Sequence, residues 1–203
     1  VVRWARDRGA LTRELIWNRI DLAARAGTTG LVVTLAAMLD GAERIAAERV
    51  AAALADPAKA LNDAAAWTDT PRSHDAVTLA FERLARRNSD LAETLWAKLG
   101  SQFHLDAERR GRILRALAVY RATSYAPDAL ARLDALPAGL ADDVTREWRV
   151  RVALAAQDFA KTLTALDALT PAQQADPRWR YLRARVLVKL GRRTTESVEV
   201  LSG

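Results

Sequence analysis

The chain has 203 residues, of which 50% are hydrophobic, and it contains no cysteine, which excludes disulfide bonds, thiolate nucleophiles and cysteine-bound zinc. Its formal net charge of +6 is spread along the sequence, so solubility explains it as well as an anionic partner does. Alanine and leucine, both strong helix formers, supply 43 and 28 residues respectively.

No apolar run approaches the ~20 residues that a membrane-spanning helix needs, so no membrane span is predicted. The sequence begins at Val1 without an initiator methionine and without the basic head, apolar stretch and cleavage site of a signal peptide. We therefore expect a fragment of a longer chain, or the mature form of an exported protein.

Apolar residues recur every three or four positions along most of the chain, which predicts amphipathic α-helices arranged in pairs. The helices are punctuated by capping residues, prolines and glycines. The predicted helices are one capped by Thr12 and ended by Gly27, followed by 28–40, 42–55, 57–67, 71–87, 89–103, one opened by Asp106, 127–136, 142–157, 159–169, and a last one from 176 to 191.

The helix pairs start near residues 12, 41, 71, 106, 141 and 175, a spacing close to that of a tetratricopeptide-type repeat. The tetratricopeptide consensus itself is not followed consistently. One helix pair cannot bury its apolar face alone, so neighbouring pairs must stack. The sequence therefore predicts an all-α superhelical solenoid of antiparallel helix pairs, forming a single domain over residues 1–203.

Few side chains in the sequence are candidates for catalysis or metal binding. His74 and His104 have no ligand partner at helical spacing and are interpreted as surface histidines, so no metal site and no cofactor are predicted. Asp142 and Asp143 stand at a helix start, where carboxylates are favoured by the helix dipole. No nucleophile elbow or glycine-rich phosphate loop is present. We predict no catalytic residue in this chain.

Two features of the helices remain as candidates for packing and binding. The six tryptophans mostly occupy apolar stripes, and Trp148 and Trp179 are predicted to be buried between repeats rather than to stack on sugars or bases. Opposite the stripe of the last helix lies a predicted basic ridge, which is either a solvated helix face or a surface that faces an anion or glycan. The ridge consists of Arg178, Arg185, Lys189 and Arg192.

The last helix also carries a family resemblance. Residues 179–185, with the sequence Trp-Arg-Tyr-Leu-Arg-Ala-Arg, continue to Leu190-Gly191-Arg192. This resembles a signature of soluble lytic murein transglycosylases, in which a Trp-Arg-Tyr-Trp-x-Ala-Arg-like helix ends in Leu-Gly-Arg near the close of the α-superhelical region. Further segments are similar to that region in the same order, and they are 54–57, 84–86, 148–154 with 158–159, and 166–169 before Pro171.

The resemblance implies a periplasmic enzyme that cleaves the MurNAc–GlcNAc bond of peptidoglycan without water and forms a 1,6-anhydro sugar. In that family the single catalytic glutamate belongs to a lysozyme-like domain that follows the superhelix. Glu196-Ser197 is similar to the Glu-Ser pair of that active site but is interpreted as an ordinary helix start. This chain alone is therefore predicted to be inactive.

Three functional hypotheses follow. The first is the superhelical scaffold of a peptidoglycan lytic transglycosylase, which positions murein strands or cell-wall proteins for a catalytic domain outside this chain. The second is a tetratricopeptide-like adaptor that binds a peptide or helix in a groove. The third, nucleic-acid binding, is disfavoured because 25 acidic residues are interspersed among the basic ones and no nucleic-acid motif is present.

Overall fold

The structure of the chain is a computed structural model, and it describes residues 12–192. These residues form α-helices and one short 3-10 helix, Ala138–Leu140, and within 12–192 there is no β-strand. The α-helices, in chain order, are α1 (Arg13–Arg25), α2 (Thr29–Ala36), α3 (Gly41–Ala55), α4 (Pro57–Ala64), α5 (Pro71–Arg87), α6 (Ser89–Leu99), α7 (Ala107–Thr123), α8 (Ala129–Asp134), α9 (Asp143–Ala155), α10 (Phe159–Asp167), α11 (Pro171–Ala175) and α12 (Pro177–Lys189).

The predicted all-α class of paired helices is confirmed, and the starts of the predicted pairs lie close to the observed ones. Local capping explains this accuracy, because a side-chain oxygen at most helix starts accepts a hydrogen bond from an otherwise unpaired backbone N–H. Capping residues with such a bond include Thr12, Asp56, Thr70, Asn88, Asp142, Asp158, Thr170 and Asp176.

Two short elements were missed by the sequence analysis. Helix α11 has five residues, too few to show an apolar stripe, and it is fixed by a capping box between Thr170 and Gln173. The second is the 3-10 helix that precedes α9. Several predicted helices also end earlier than expected; α2, for example, stops at Ala36 instead of running to residue 40.

Contacts divide the chain into two compact units, residues 1–113 and 114–203, and the boundary falls within α7. The single domain predicted over 1–203 stays a prediction. In the first unit, α1 packs on α2, α3 on α4, and α5 on α6, while α3 also packs on α1 and α5. Short connections make such consecutive helices antiparallel. Small buried residues such as Ala47, Ala53, Ala76 and Ala80 let the helices approach closely.

In the second unit, α9 packs on α8 and α10, and α12 packs on α10 and α11. One core cluster forms around Leu133 and another around Val150 and Trp179. Trp179 is only 7% exposed, as its position in the apolar stripe predicted. Trp148, for which burial was also predicted, is partly buried: it packs against the cluster around Leu133, and its ring forms a T-shaped contact with exposed Tyr125, with ring centroids 6.0 Å apart.

In the part of the chain that the structure describes, four helices end in a residue with left-handed backbone conformation, which lets the chain reverse direction at the helix end. Gly27 and Gly191 take this role after α1 and α12, with φ of 73° and 71°, and both were predicted as stops. Tyr125 after α7 and Gln157 after α9 adopt the same conformation, with φ of 50° and 56°, although neither is glycine. The sequence offered no signal for these two positions.

Candidate functional site

Helix α12 carries the predicted basic residues, and its sequence explains its orientation. Asp176 caps the helix by accepting a hydrogen bond of 2.8 Å from the N–H of Arg178, and Pro177 occupies the first helical position. Trp179, Val186 and Leu187 are buried on the side that packs against the rest of the unit. The 13 residues of α12 contain five basic side chains and no acidic one. The polar side of α12 is therefore cationic.

Of the four predicted ridge residues, Arg178 is already neutralised. Its Nη2 lies 2.7 Å from Oδ2 of Asp176, and hydrogen bonding to that carboxylate raises the pKa of Arg178 above its usual value. Both side chains belong to the start of the same helix. Arg178 is exposed but contributes little net positive charge to the surface.

Arg185 and Lys189 lie on α12 as predicted, exposed and one turn apart. Arg185 donates a hydrogen bond of 3.0 Å from Nη1 to the hydroxyl of Tyr181, and neither cation has an ion-pair partner among residues 12–192. Arg192 is exposed but follows Gly191, beyond the end of α12 at Lys189. The four residues therefore do not form one continuous helical ridge.

The structure adds a cleft that the sequence analysis missed. A cavity of about 300 Å³ lies between α10, α11 and α12. Arg180 and Arg183 line it beside Trp179 and Asp167, and the guanidinium of Arg183 pairs with the Asp167 carboxylate. Arg180 is exposed and has no ion-pair partner in the described part of the chain. The three-residue spacing of Arg180 and Arg183 was a signal that they share one side of α12.

The histidines were interpreted as surface histidines, which is confirmed for His104, whose side chain is 91% exposed, and is wrong for His74. The side chain of His74 is only 12% exposed, and its Nε2 contacts Oδ1 of Asp69, whose Oδ2 lies 2.6 Å from Nδ1 of His104. Hydrogen bonds from His74 and then His104 lower the pKa of Asp69 to about 2. No group of three or more potential metal ligands occurs within 12–192. The cluster joins the loop before α5 to the loop before α7.

The paired carboxylates at the start of α9 have the structural role that the sequence indicated. Asp142 accepts a hydrogen bond of 2.9 Å from the N–H of Thr145, and Arg115 pairs with its other oxygen at 2.5 Å. Burial alone would raise the pKa of Asp142, but these two partners outweigh it, and the pKa lies below its usual value. Glu196 and Ser197 lie outside the described residues.

Consecutive helices that pack in pairs, as they do within residues 12–192, define an α-helical repeat protein. No model of a known protein family matches the chain. Over 187 residues the chain is 30% identical to a soluble lytic murein transglycosylase of Salmonella typhimurium, a match that covers 91% of this chain and 28% of that protein.

Solved structures agree with the sequence match. An inactive variant of the lytic transglycosylase Slt from Pseudomonas aeruginosa superposes with a TM-score of 0.83 at 25% identity, covering 99% of this chain and 33% of that one. The 70-kDa soluble lytic transglycosylase of Escherichia coli gives a TM-score of 0.76 at 26% identity, covering 97% and 32%.

The resemblance predicted from residues 179–192 is thereby confirmed: in sequence and in superhelical fold, the chain is similar to part of the soluble lytic murein transglycosylases. It spans about a third or less of the length of these relatives. No helix within residues 12–192 is long and apolar enough to cross a membrane.

Proposed function

We propose that the chain is the scaffold region of a periplasmic peptidoglycan lytic transglycosylase, which positions murein strands or cell-wall partners for a catalytic domain. The observation that carries this proposal is the charge of α12. Arg180, Arg185 and Lys189 are exposed there without ion-pair partners among residues 12–192, on a helix that has no acidic residue. The similarity to lytic transglycosylases supports murein as the anionic partner.

Electrostatics sets the expected strength of this interaction. The peptide stems of murein carry carboxylates, so unpaired cations attract them. An exposed ion pair contributes about 0.2–1 kcal/mol, and salt screens it over a Debye length of ~8 Å at physiological ionic strength. Arg185 and Lys189, one turn apart, can contact the same strand, whereas Arg180 lies on the cleft side of α12, so these contacts support only weak binding. Binding should fall steeply when salt is added.

A pull-down with purified murein sacculi at low and high salt tests the proposal. The unchanged chain should be retained at low salt and released at high salt. A variant with Arg180→Gln, Arg185→Gln and Lys189→Gln should lose most of its retention at low salt, because the unpaired cations of α12 are gone. Retention that does not change with salt concentration would contradict the electrostatic mechanism. No binding of sacculi at any salt concentration would favour the peptide-binding adaptor.

The matched control removes the same charge elsewhere. Arg44, Lys59 and Arg132 are exposed cations that already pair with carboxylates one helical turn away, at 2.8, 2.6 and 3.4 Å. Changing these three to glutamine should leave sacculus retention nearly intact. Equal losses in both triple variants would show that net charge, rather than α12, drives binding.

Catalysis is measured on the same samples. We propose that the chain releases no muropeptides from sacculi. Cleavage of a glycosidic bond needs a general acid that stays protonated until it donates its proton to the leaving oxygen. Among residues 12–192, the carboxylates with a shifted pKa are mostly shifted downward, which keeps them ionised. Burial raises the pKa of Asp21, but Arg72 lies 3.8 Å from its carboxylate and opposes that shift. Anhydro-muropeptides released by the purified chain would contradict this proposal and would make Glu196 the first residue to mutate.

A further inference from the structure

A second cavity in the unit of residues 114–203 lies apart from the residues that line the α12 cleft. Its volume is about 490 Å³, within the range of small-ligand sites. Tyr125, Pro127 and Leu130 form one wall, from the turn after α7 and from α8. Val152 and Ala155, at the end of α9, form the other. We call this cavity the Tyr125 groove.

Tyr125 occupies a position whose backbone conformation favours glycine. Its φ of 50° lies in the left-handed region, where glycine is preferred and a tyrosine is strained. Its side chain is 52% exposed, so burial of the ring does not explain its presence. The edge-on contact with Trp148 fixes the orientation of the ring. The backbone conformation serves to end α7, as that of Gln157 ends α9, but the exposed and oriented ring beside a cavity offers a stacking surface to a ligand.

The charged groups at the groove are internally compensated. Lys161 Nζ lies 3.2 Å from Oδ2 of Asp158, whose Oδ1 accepts a hydrogen bond from the N–H of Lys161. Asp134 Oδ1 lies 3.1 Å from Nε of Arg149. A charged ligand would meet no free opposite charge here. A neutral ligand with many hydroxyl groups can bond to these oxygens and to Nζ of Lys161 without separating a pair.

We propose that the Tyr125 groove binds an uncharged saccharide ring, stacked by its C–H face on the ring of Tyr125. An aromatic face matches the apolar face of a pyranose, while the paired charges at the rim match its hydroxyl groups. A peptide that binds by adding a strand would need a sheet edge, and no strand occurs within 12–192. The choice of an N-acetylated glycan as ligand rests on the proposed function.

Titration with chitotetraose, an uncharged GlcNAc oligomer, tests this site by isothermal calorimetry. We expect a dissociation constant in the millimolar range or tighter, unchanged by salt. Tyr125→Gly should weaken binding at least about tenfold, and its fold should be kept because glycine adopts φ of 50° without strain. Tyr125→Asn, which also tolerates this backbone, should have the same effect, whereas Tyr125→Phe should retain binding.

The matched control is Tyr181→Ala, since Tyr181 is a similarly exposed tyrosine, at 48%, that does not line the groove. It should leave chitotetraose binding unchanged. Equal affinity in the unchanged chain and Tyr125→Gly would overturn the site, as would a lack of binding by the unchanged chain. Circular dichroism of each variant confirms that loss of binding is not loss of fold.

The chitotetraose titration and the sacculus pull-down test the two proposals independently. Salt-dependent retention of sacculi that survives Tyr125→Gly, together with no chitotetraose binding, would overturn the saccharide groove and leave the role of α12 standing. Chitotetraose binding through Tyr125, together with no retention of sacculi at any salt, would support the groove and overturn the scaffold function.

Discussion

Nδ1 of His104 lies 2.6 Å from Oδ2 of Asp69, although the two residues are 35 positions apart in the chain. The other oxygen of the same carboxylate contacts His74. One ionised aspartate thus joins two loops of the first unit. Because these contacts need an ionised carboxylate, the stability of the first unit should fall in acid.

Asp69→Asn should destabilise the fold at neutral pH, and the effect should shrink in acid. The pKa of Asp69 is lowered from 3.8 to about 2, so its ionised form stabilises the folded state above the unfolded-state value. This contribution is lost as pH falls from about 4 through 2, where both chains carry a neutral side chain. Urea unfolding of both proteins across this range measures the difference.

The control for this experiment is Asp63→Asn, because Asp63 forms a single exposed pair with Lys59 at 2.6 Å. An exposed pair one turn apart contributes little to stability, because solvent screens its charges. Its removal should have a smaller effect than Asp69→Asn at neutral pH. A destabilisation by Asp69→Asn that stays constant down to pH 2 would show that the histidine contacts do not hold the carboxylate ionised.

Trp179→Ala should lower the free energy of unfolding by roughly 3–5 kcal/mol, as large-to-small core substitutions do. The ring is 7% exposed and belongs to the core cluster formed with Val150 and Leu166. Tyr181→Ala, two residues away on the same helix, should change stability by no more than about 0.5 kcal/mol. Denaturant unfolding of the two variants gives the comparison, and similar midpoints would contradict the assigned core.

Gln157→Gly should stabilise the chain by about 0.5–1 kcal/mol. An L-residue pays for the left-handed backbone at φ of 56°, whereas glycine does not, and the greater freedom of glycine in the unfolded chain offsets only part of the gain. Thermal unfolding measures the shift.

The reverse change at the equivalent position after α1 serves as control. Gly27→Ala should destabilise, because alanine is strained at φ of 73° and its Cβ would lie 3.1 Å from Nη2 of Arg83. The same sign for both substitutions would contradict the backbone argument.

Arg180→Ala should reduce sacculus retention at low salt more than Arg178→Ala does. Both arginines are exposed on the first turn of α12, but only Arg178 is paired with Asp176, at 2.7 Å. The guanidinium of Arg178 is held by Asp176 and would have to leave that carboxylate to bond a murein carboxylate, so its removal costs fewer contacts with the ligand. Retention that falls equally or more with Arg178→Ala would show that the charge of Asp176 does not shield Arg178 from the ligand.

Local sequence determined most of the helices. A capping aspartate followed by proline, as in Asp56-Pro57 and Asp176-Pro177, sets a helix start through bonds that span at most three residues. Apolar stripes and the glycines that end α1 and α12 act over similar distances. The family motif in residues 179–192 was readable for the same reason, since it lies within one helix and its end.

Tertiary structure decided the sites. Asp69 meets His104 only because two loops converge, and Arg180 and Arg183 border a cleft only because α10 and α11 lie beside them. Trp148 is less buried than Trp179 although both lie in apolar stripes, because the extent of burial depends on which helices pack across each ring. Sequence periodicity fixes which side of a helix is apolar, whereas the packing of helices many residues apart fixes how much of that side is covered and which polar groups meet.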